Sequence, residues 1–343
     1  MNNEILYQLI NFDEYSITPK YLQLAHCIVK NIEIGKIKKD YILPSINDFS
    51  FEFNISRNTI EKTYRHLKQL GIVSSVPGKG YFISKTDFKQ TIKVLLLFNK
   101  LSTHKKIIYD SFAATLNEQA AIDFYIYNND FNLFKKILQN RKSGYTHYVI
   151  IPHFLEGGEK ANEIINELSE GKLILMDKLI DGMSIEYGAV YENFEKDIFE
   201  ALKQMLPKLK KYKKIKIVFP SYSYFPKEIL KGYEAFCIQY QYNYSTVNNI
   251  ENDTLNDGDV YIILMEDDLV TLLTKIKSTK LKVGKNIGII SYNETPLKQF
   301  ILDGITTVST DFVKMGELTA QRILNDDKQQ VEVPFTLTLR NSL

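Results

Sequence analysis

The chain has 343 residues, 44% of them hydrophobic and 24% charged, and 43 Lys and Arg against 41 Asp and Glu leave a net charge of +2. This is ordinary globular composition, and the length implies two or three compact units. The longest apolar runs, Val94 to Phe98 and Tyr261 to Met265, fall far short of the roughly 20 residues of a membrane span, which excludes an integral membrane protein. The opening MNNEILYQLI lacks the basic start, apolar stretch and cleavage site of a signal peptide, so a cytoplasmic protein is expected. Cys27 and Cys237 belong to no CxxC or Cys/His cluster. They imply no disulfide, zinc site or redox pair and read as small buried side chains.

Charge is unevenly spread. Residues 36 to 85 carry nine Lys or Arg against four Asp or Glu, and the remaining 293 positions sum to −3. A small basic segment on a larger, slightly acidic body fits a nucleic-acid reader with a second module, although charge alone also fits a solvated face. In chain order, residues 18 to 34 place Tyr21, Leu24, Ala25, Ile28, Val29 and Ile32 at helical spacing, with Pro19 at the start and Gly35 past the end. That is an amphipathic helix. In LPSINDF, Ser45 and Asp48 can form a reciprocal cap for a short helix running to about Phe53. Asn54 suits a left-handed turn, and Ser56 caps a third helix whose apolar face holds Ile60, Tyr64 and Leu67 before Gly71 ends it. IVSSV and YFIS, separated by PGKG, predict a two-stranded wing. The result is a helix-turn-helix with a wing over residues 1–83, followed by a polar linker at 84–91.

From residue 92 the pattern becomes near-continuous apolar strands alternating with helices: IKVLLLF, AIDFYIY, THYVII, KLILMD, KIKIVFP, DVYIILM and NIGIIS. Such strands belong to parallel sheets covered on both faces. An α/β body of two doubly wound lobes is predicted, lobe 1 over about 92–190 and 294–320 and lobe 2 over about 191–293 and 321–343.

The segment from Tyr21 to Ser84 resembles the winged helix-turn-helix of the GntR family. The resemblance rests on the Ile-x-x-Gly exit from the first helix, Leu-Pro-Ser before the second, Ser-Arg-x-Thr opening the third, and the Gly-x-Gly-x-Phe wing. It implies a recognition helix presenting Ser56, Arg57, Asn58 and Thr59 to base edges and phosphates, Arg57 being the candidate guanine contact. Lys62 and Arg65 lie farther along, toward the DNA backbone. Gly78, Lys79 and Gly80 would bring the wing close to DNA, and Ser45 and Asn47 stand at the start of the second helix. Asn47 replaces a basic residue usual in the family. The C-terminal 250 residues resemble the LacI and GalR regulators, above all in NIGIISYNETPLKQFILDGITTVSTDFVKMGELTAQRILNDDKQQVEVPFTLTLRNSL. That resemblance implies a periplasmic-binding-protein-like effector domain, and the combined plan is similar to AraR-type sugar regulators.

In an open parallel sheet, ligands sit beyond the carboxyl ends of the strands. The candidates there are Asn99, Ser102, Thr103 and His104; His153 and Phe154; and Asp177. In lobe 2 they are Ser221, Tyr222, Tyr224 and Lys227, and Glu266 and Asp267; at the return through the hinge they are Tyr292, Asn293 and Glu294. With no Trp in the chain, Tyr and Phe must supply any stacking. GxSxG, Walker and HExxH motifs are absent, so no catalytic residue, metal or cofactor is expected. The expectation is a ligand-responsive repressor of carbohydrate-utilisation genes that binds a pseudo-palindromic operator as a homodimer. Its effector would be a monosaccharide or sugar phosphate held by Asp177, Lys227, Asn293 and Glu294. The alternative is a solute-binding or sugar-modifying protein whose N-terminal domain serves assembly only.

Overall fold

In the computed structural model, residues 3–78, 80–86, 92–141, 144–168 and 172–343 are described. The N-terminal domain opens with a short helix, α1 (Asn3–Gln8), which buries Leu6 and has too few turns to show a periodicity in the sequence. In α2 (Lys20–Glu33) the buried residues Leu24, Ala25, Ile28, Val29 and Ile32 form one stripe, and Gly35 leaves the helix with φ +74°. The reciprocal cap forms at α3 (Ile46–Glu52): Asp48 N donates to Ser45 Oγ at 3.2 Å, and Ser45 N donates to Asp48 Oδ2 at 3.3 Å. Asn54 turns the chain at φ +49°, and Ser56 Oγ accepts from Thr59 N at 3.2 Å to start α4 (Arg57–Gln69). The wing is β1 (Val73–Val76) paired antiparallel with β2 (Gly80–Ile83). Phe49, Ile60, Tyr64 and Leu67 lock α3 and α4 into one core. Cys27 lies only half-buried at the edge of this core, not within it; Cys237 is buried in the second lobe.

The body starts with β3 (Ile92–Phe98), α5 (Thr103–Leu116), β4 (Ala120–Ile126), α6 (Phe131–Gln139), β5 (His147–Ile150), α7 (Ala161–Asn166), β6 (Lys172–Asp177) and β7 (Tyr187–Tyr191). It continues through α8 (Phe194–Gln204), α9 (Leu206–Leu209), β8 (Lys214–Val218), α10 (Glu228–Gln239), β9 (Asn243–Val247), β10 (Asp259–Ile263), α11 (Glu266–Lys277) and β11 (Gly288–Tyr292). The chain closes with β12 (Thr306–Thr310), α12 (Phe312–Leu324), β13 (Gln330–Glu332) and β14 (Phe335–Thr338). Two six-stranded sheets result, ordered β13-β7-β6-β5-β3-β4 and β14-β12-β11-β10-β8-β9. All pairings within them are parallel except that of β14 with β12. Strands such as β5, β10 and β12 are buried along their whole length, as helices on both faces require.

The lobe boundaries differ from those the sequence suggested. β12 extends the second sheet, whereas α12 packs on α5 of the first lobe and β13 joins the first sheet before β14 returns to the second. The chain therefore crosses between lobes near residues 192–193, at Asp311 and at Pro334. A wholly buried strand such as β12 carries no mark of which sheet it joins, which explains the misplacement. At two helix crossings the backbones touch. A Cβ at Gly316 of α12 would collide with Ser111 Oγ and the Ile108 carbonyl of α5, and one at Gly232 of α10 with the Glu195 carbonyl of α8.

The segment before α2 joins the N-terminal domain to the body. Ser16 bridges antiparallel to Tyr125 on β4, the outermost strand of the first sheet. Ile17 N donates to the Phe124 carbonyl at 3.0 Å, and Phe124 N donates to Thr18 Oγ1 at 2.9 Å. The predicted linker is described only as far as residue 86; residues 87–91 lie outside the described residues. Among the described residues, no helix is long and apolar enough to cross a membrane.

Candidate functional site

Two faces carry chemistry. On the N-terminal domain, Ser56, Arg57, Asn58, Lys62 and Arg65 are exposed along α4, and Gly78 and Gly80 are exposed in the wing. Gly78 and Gly80 both have positive φ, +80° and +82°, which a side chain would oppose. Lys79 lies outside the described residues. Thr59 is half-buried, its hydroxyl 2.9 Å from Ser56 Oγ, so both hydroxyls serve the helix cap as well as any surface role. Ser45, Asn47, Arg57 and Gly80 line one groove together with Lys36, Lys38 and Lys39. These three lysines, in the loop after α2, were not singled out from the sequence because no motif marks them. Folding places them beside the recognition helix and extends its basic face.

The second face is a crevice of about 400 Å³ between the lobes, within the range of small-molecule sites. From the first lobe it is lined by Asn99, Ser102, Thr103, His104, His153 and Asp177. From the second come Tyr224, Glu266, Asp267, Tyr292 and Asn293. Asp177 and Asn293 both end a strand with left-handed backbone, φ +77° and +65°. Such non-glycine strain persists where surrounding contacts impose it, commonly at ligand sites.

Five of the expected residues are not among its lining. Phe154 turns into the core, 4.9 Å from Phe134 and 5.6 Å from Phe131. Ser221, Tyr222 and Lys227 are exposed on the loop leading into α10, outside the cavity lining. Glu294 is spent inside lobe 2, accepting from Arg340 Nη1 at 2.8 Å and from Thr307 Oγ1 at 2.5 Å. The strand-end rule finds the loops, but not which way each side chain turns.

The structure adds residues the sequence reading missed, chiefly Lys100, Lys105 and Glu192. At the crevice floor, Lys105 pairs with Asp177 Oδ2, and His153 Nε2 lies 3.2 Å from the same oxygen. Burial pushes the Asp177 carboxyl up, but Lys105 and His153 outweigh it and hold it well below the usual carboxylate range. Burial also depresses His153; its ring is then neutral, and the nitrogen facing the carboxylate must carry the proton. Glu192, fully buried beside Asp177, is pushed well up by burial and by its neighbour's charge. His104, 5.0 Å from the Phe312 ring, falls to about 4 through burial and then the charges of Lys298, Lys105 and Lys100.

Four buried polar atoms around this cavity have no hydrogen-bond partner among the described residues: Asn99 Oδ1, His104 Nε2, Tyr292 OH and Asn293 Oδ1. Unsatisfied buried groups cost about 1–3 kcal/mol each, so such a cluster is arranged for a polar guest. Two contacts already span the lobes here: Lys100 Nζ sits 3.9 Å from the centre of the Tyr224 ring and donates to its hydroxyl, and Lys178 Nζ lies 3.6 Å from Glu228 Oε2. Among the described residues, no group of three or more His, Cys, Asp or Glu could hold a metal ion.

Residues 20–83 match the family of bacterial regulatory proteins described as gntR. Over 91 residues the chain is 29% identical to the HTH-type transcriptional repressor NagR of Bacillus subtilis, a stretch covering 26% of this chain and 37% of that protein. Over 74 residues it is 31% identical to the arabinose metabolism transcriptional repressor of Geobacillus stearothermophilus, covering 22% of this chain and 20% of that one. The chain thus spans well under half the length of these relatives. The fold of nearly the whole chain is similar to that of the Lac repressor bound to ONPG in the repressed state, with a TM-score of 0.63 at 13% identity, over 97% of this chain and 99% of that one. The chain therefore carries an N-terminal winged helix-turn-helix of the gntR family on a two-lobed body with the fold of the Lac repressor.

Proposed function

We propose that this protein is a ligand-responsive transcription repressor that binds a pseudo-palindromic operator as a homodimer and releases it when a small polyhydroxylated effector, a monosaccharide or its phosphate, binds between the lobes. The observation that carries this reading is the pairing of an exposed basic recognition face with an inter-lobe cavity in which four buried polar atoms lack partners among the described residues. Relatives of the N-terminal domain that are themselves repressors, one of arabinose metabolism, support the same reading. An assembly-only role for the domain would need no basic groove. A single winged helix reads one half-site, so a symmetric dimer fits a two-fold operator. Asn99, His104, Tyr292 and Asn293 supply donors and acceptors for hydroxyls, and Tyr224 a flat face. Ligand shifts DNA affinity only by binding one lobe arrangement better than the other, a coupling of about 1–3 kcal/mol in typical systems.

The test is fluorescence anisotropy with operator duplex across a salt series. Arg57→Ala is expected to cost about 1–3 kcal/mol and relax preference at one position of each half-site. Lys62→Ala is expected to weaken all sequences alike and flatten the salt slope by about one unit. Unchanged binding by both variants would overturn the assignment of α4 as the recognition helix.

A further inference from the structure

The loop between α2 and α3 carries Lys36, Lys38 and Lys39 on a backbone fixed at both ends. Between the lysines, Ile37 is 1% exposed in the core of the N-terminal domain, and its N–H donates to the Asn31 carbonyl at 2.9 Å. Beyond them the chain pairs with the wing. Asp40 N donates to the Ile83 carbonyl at 2.8 Å, Ile83 N to the Tyr41 carbonyl at 3.0 Å, and Leu43 N to the Tyr81 carbonyl at 2.8 Å. Ile42 bridges antiparallel to Phe82, so residues 41–43 lie along β2 as a short extra strand. With Ile37 turned inward, the three lysines are left exposed, on a loop that needs little further ordering to meet a partner.

These lysines line the same groove as Asn47 and Arg57. At about 1470 Å³ the groove exceeds the size of small-molecule clefts and suits a polymer laid along it. Its charged lining is Lys36, Lys38, Lys39 and Arg57 against Asp40 and Asp48, a positive surplus with every group in its ordinary ionised form. Asp48 is already committed to the helix cap, accepting from Ser45 Oγ at 2.7 Å and from Ser45 N at 3.3 Å. Among the described residues, no carboxylate lies within 4.0 Å of the three ammonium groups. A merely solvated face would scatter such charges. Here they gather beside the first turn of α4, where their field attracts a polyanion.

We propose that Lys36, Lys38 and Lys39 bind phosphates of one DNA strand, seated in the groove between their loop and the start of α4. This rests on the reading of α4 as the recognition helix and extends it. The contacts are to the backbone and carry no base preference; they hold the duplex in the orientation in which Arg57 meets its base. Because the loop is hydrogen-bonded to β2, the lysines and the wing approach the duplex as one unit.

The experiment is fluorescence anisotropy of the full chain across a salt series, on a duplex that the parent selects from a randomised pool and on a random-sequence duplex of the same length. The triple variant Lys36→Gln, Lys38→Gln, Lys39→Gln is expected to lose about tenfold or more in affinity on both duplexes and to flatten the slope of log affinity against log salt by about two to three units. Its base preference and melting temperature should match the parent's. Replacing the same three lysines by Arg should keep affinity and slope near the parent's. A control variant, Lys208→Gln, Lys210→Gln, Lys213→Gln, removes equal charge from exposed positions of the second lobe and should leave the slope unchanged. A parent-like slope in the first triple, equal flattening by the control, or an altered base preference would overturn the inference. If the first triple is parent-like while Arg57→Ala loses affinity, the recognition-helix reading stands and the lysine contacts fail; if both variants bind like the parent, or the parent binds neither duplex, both fail.

Discussion

Asp197, in the first turn of α8, is 6% exposed and has one carboxylate oxygen buried without a partner among the described residues. Burial, then the nearby charge of Glu332, raises its pKa to about 7. A carboxyl raised on folding holds its proton in the native state while the unfolded chain releases it near pH 4, so its contribution to stability is full below that value and declines as pH rises toward 7. Asp197→Asn keeps the shape and removes the titration. The difference in melting temperature, variant minus parent, is expected to grow in the variant's favour between pH 4.5 and 7.5, read by differential scanning calorimetry; a difference independent of pH would refute it. Legibility at this scale followed locality. The cap of Ser45 and Asp48 was legible because both partners lie within one turn. Asn99, Asp177 and Asn293 were found because strand ends can be read from apolar runs. Lys100 and Lys105 were not, because their role depends on Tyr224 and Asp177, 124 and 72 positions away. Lys227 misled for the reverse reason: the loop was correctly located, but its side chain points to solvent.

Elements with a clear period were legible and their partners were not. α2, α3, α4 and the wing fall where spacing, caps and glycines put them, because each is specified within a few residues. The strands of the body were visible as apolar runs, but assigning β12 and β13 to their sheets required tertiary information. The pairing of α5 with α12 shows how such information is encoded. Gly316 does not mark a turn; it permits the two backbones to approach until its missing Cβ is occupied by Ser111 and the Ile108 carbonyl. Gly316→Ala would raise helix propensity, by up to about 1 kcal/mol, yet the clash must push the helices apart, and overpacking of this kind costs about 1–3 kcal/mol. Overpacking is expected to win. The variant should unfold at lower temperature by several degrees, and a melting temperature equal to or above the parent's would show that the interface yields cheaply.

At the scale of the whole molecule, the proposed function requires a change between lobes to reach a helix-turn-helix domain whose contacts, among the described residues, are with the first lobe. The strand-like contact of residues 16–18 with β4 is one connection, and three side-chain contacts reinforce it. Asp13 pairs with Arg141 and accepts from Tyr125 OH at 2.9 Å, while Arg141 Nε donates to that same hydroxyl at 2.8 Å. His26 Nδ1 faces Asp123 Oδ1 at 3.5 Å, and Tyr145 OH donates to Asp123 Oδ2 at 2.7 Å. Lys93 Nζ donates to Glu33 Oε2 at 2.7 Å. Each exposed pair alone would contribute little, about 0–1 kcal/mol, but the set is half-buried, shared and laid along one sheet edge, so the reader is held as an extension of the first lobe. In the proposed dimer, the distance between the two α4 helices would then be fixed by how the lobes sit, and a ligand in the crevice would act on DNA through that distance. Loosening the set should leave each reader able to bind and remove the preset spacing. The double variant Asp13→Ala, Arg141→Ala is therefore expected to bind a single half-site duplex like the parent but to lose about fivefold or more on the full pseudo-palindromic operator, because the second half-site is met at lower effective concentration. In calorimetry its N-terminal domain should melt separately, below the body. Equal losses on half-site and full operator would mean that these residues support the reader's own fold, and no loss on either would mean that the spacing is set elsewhere.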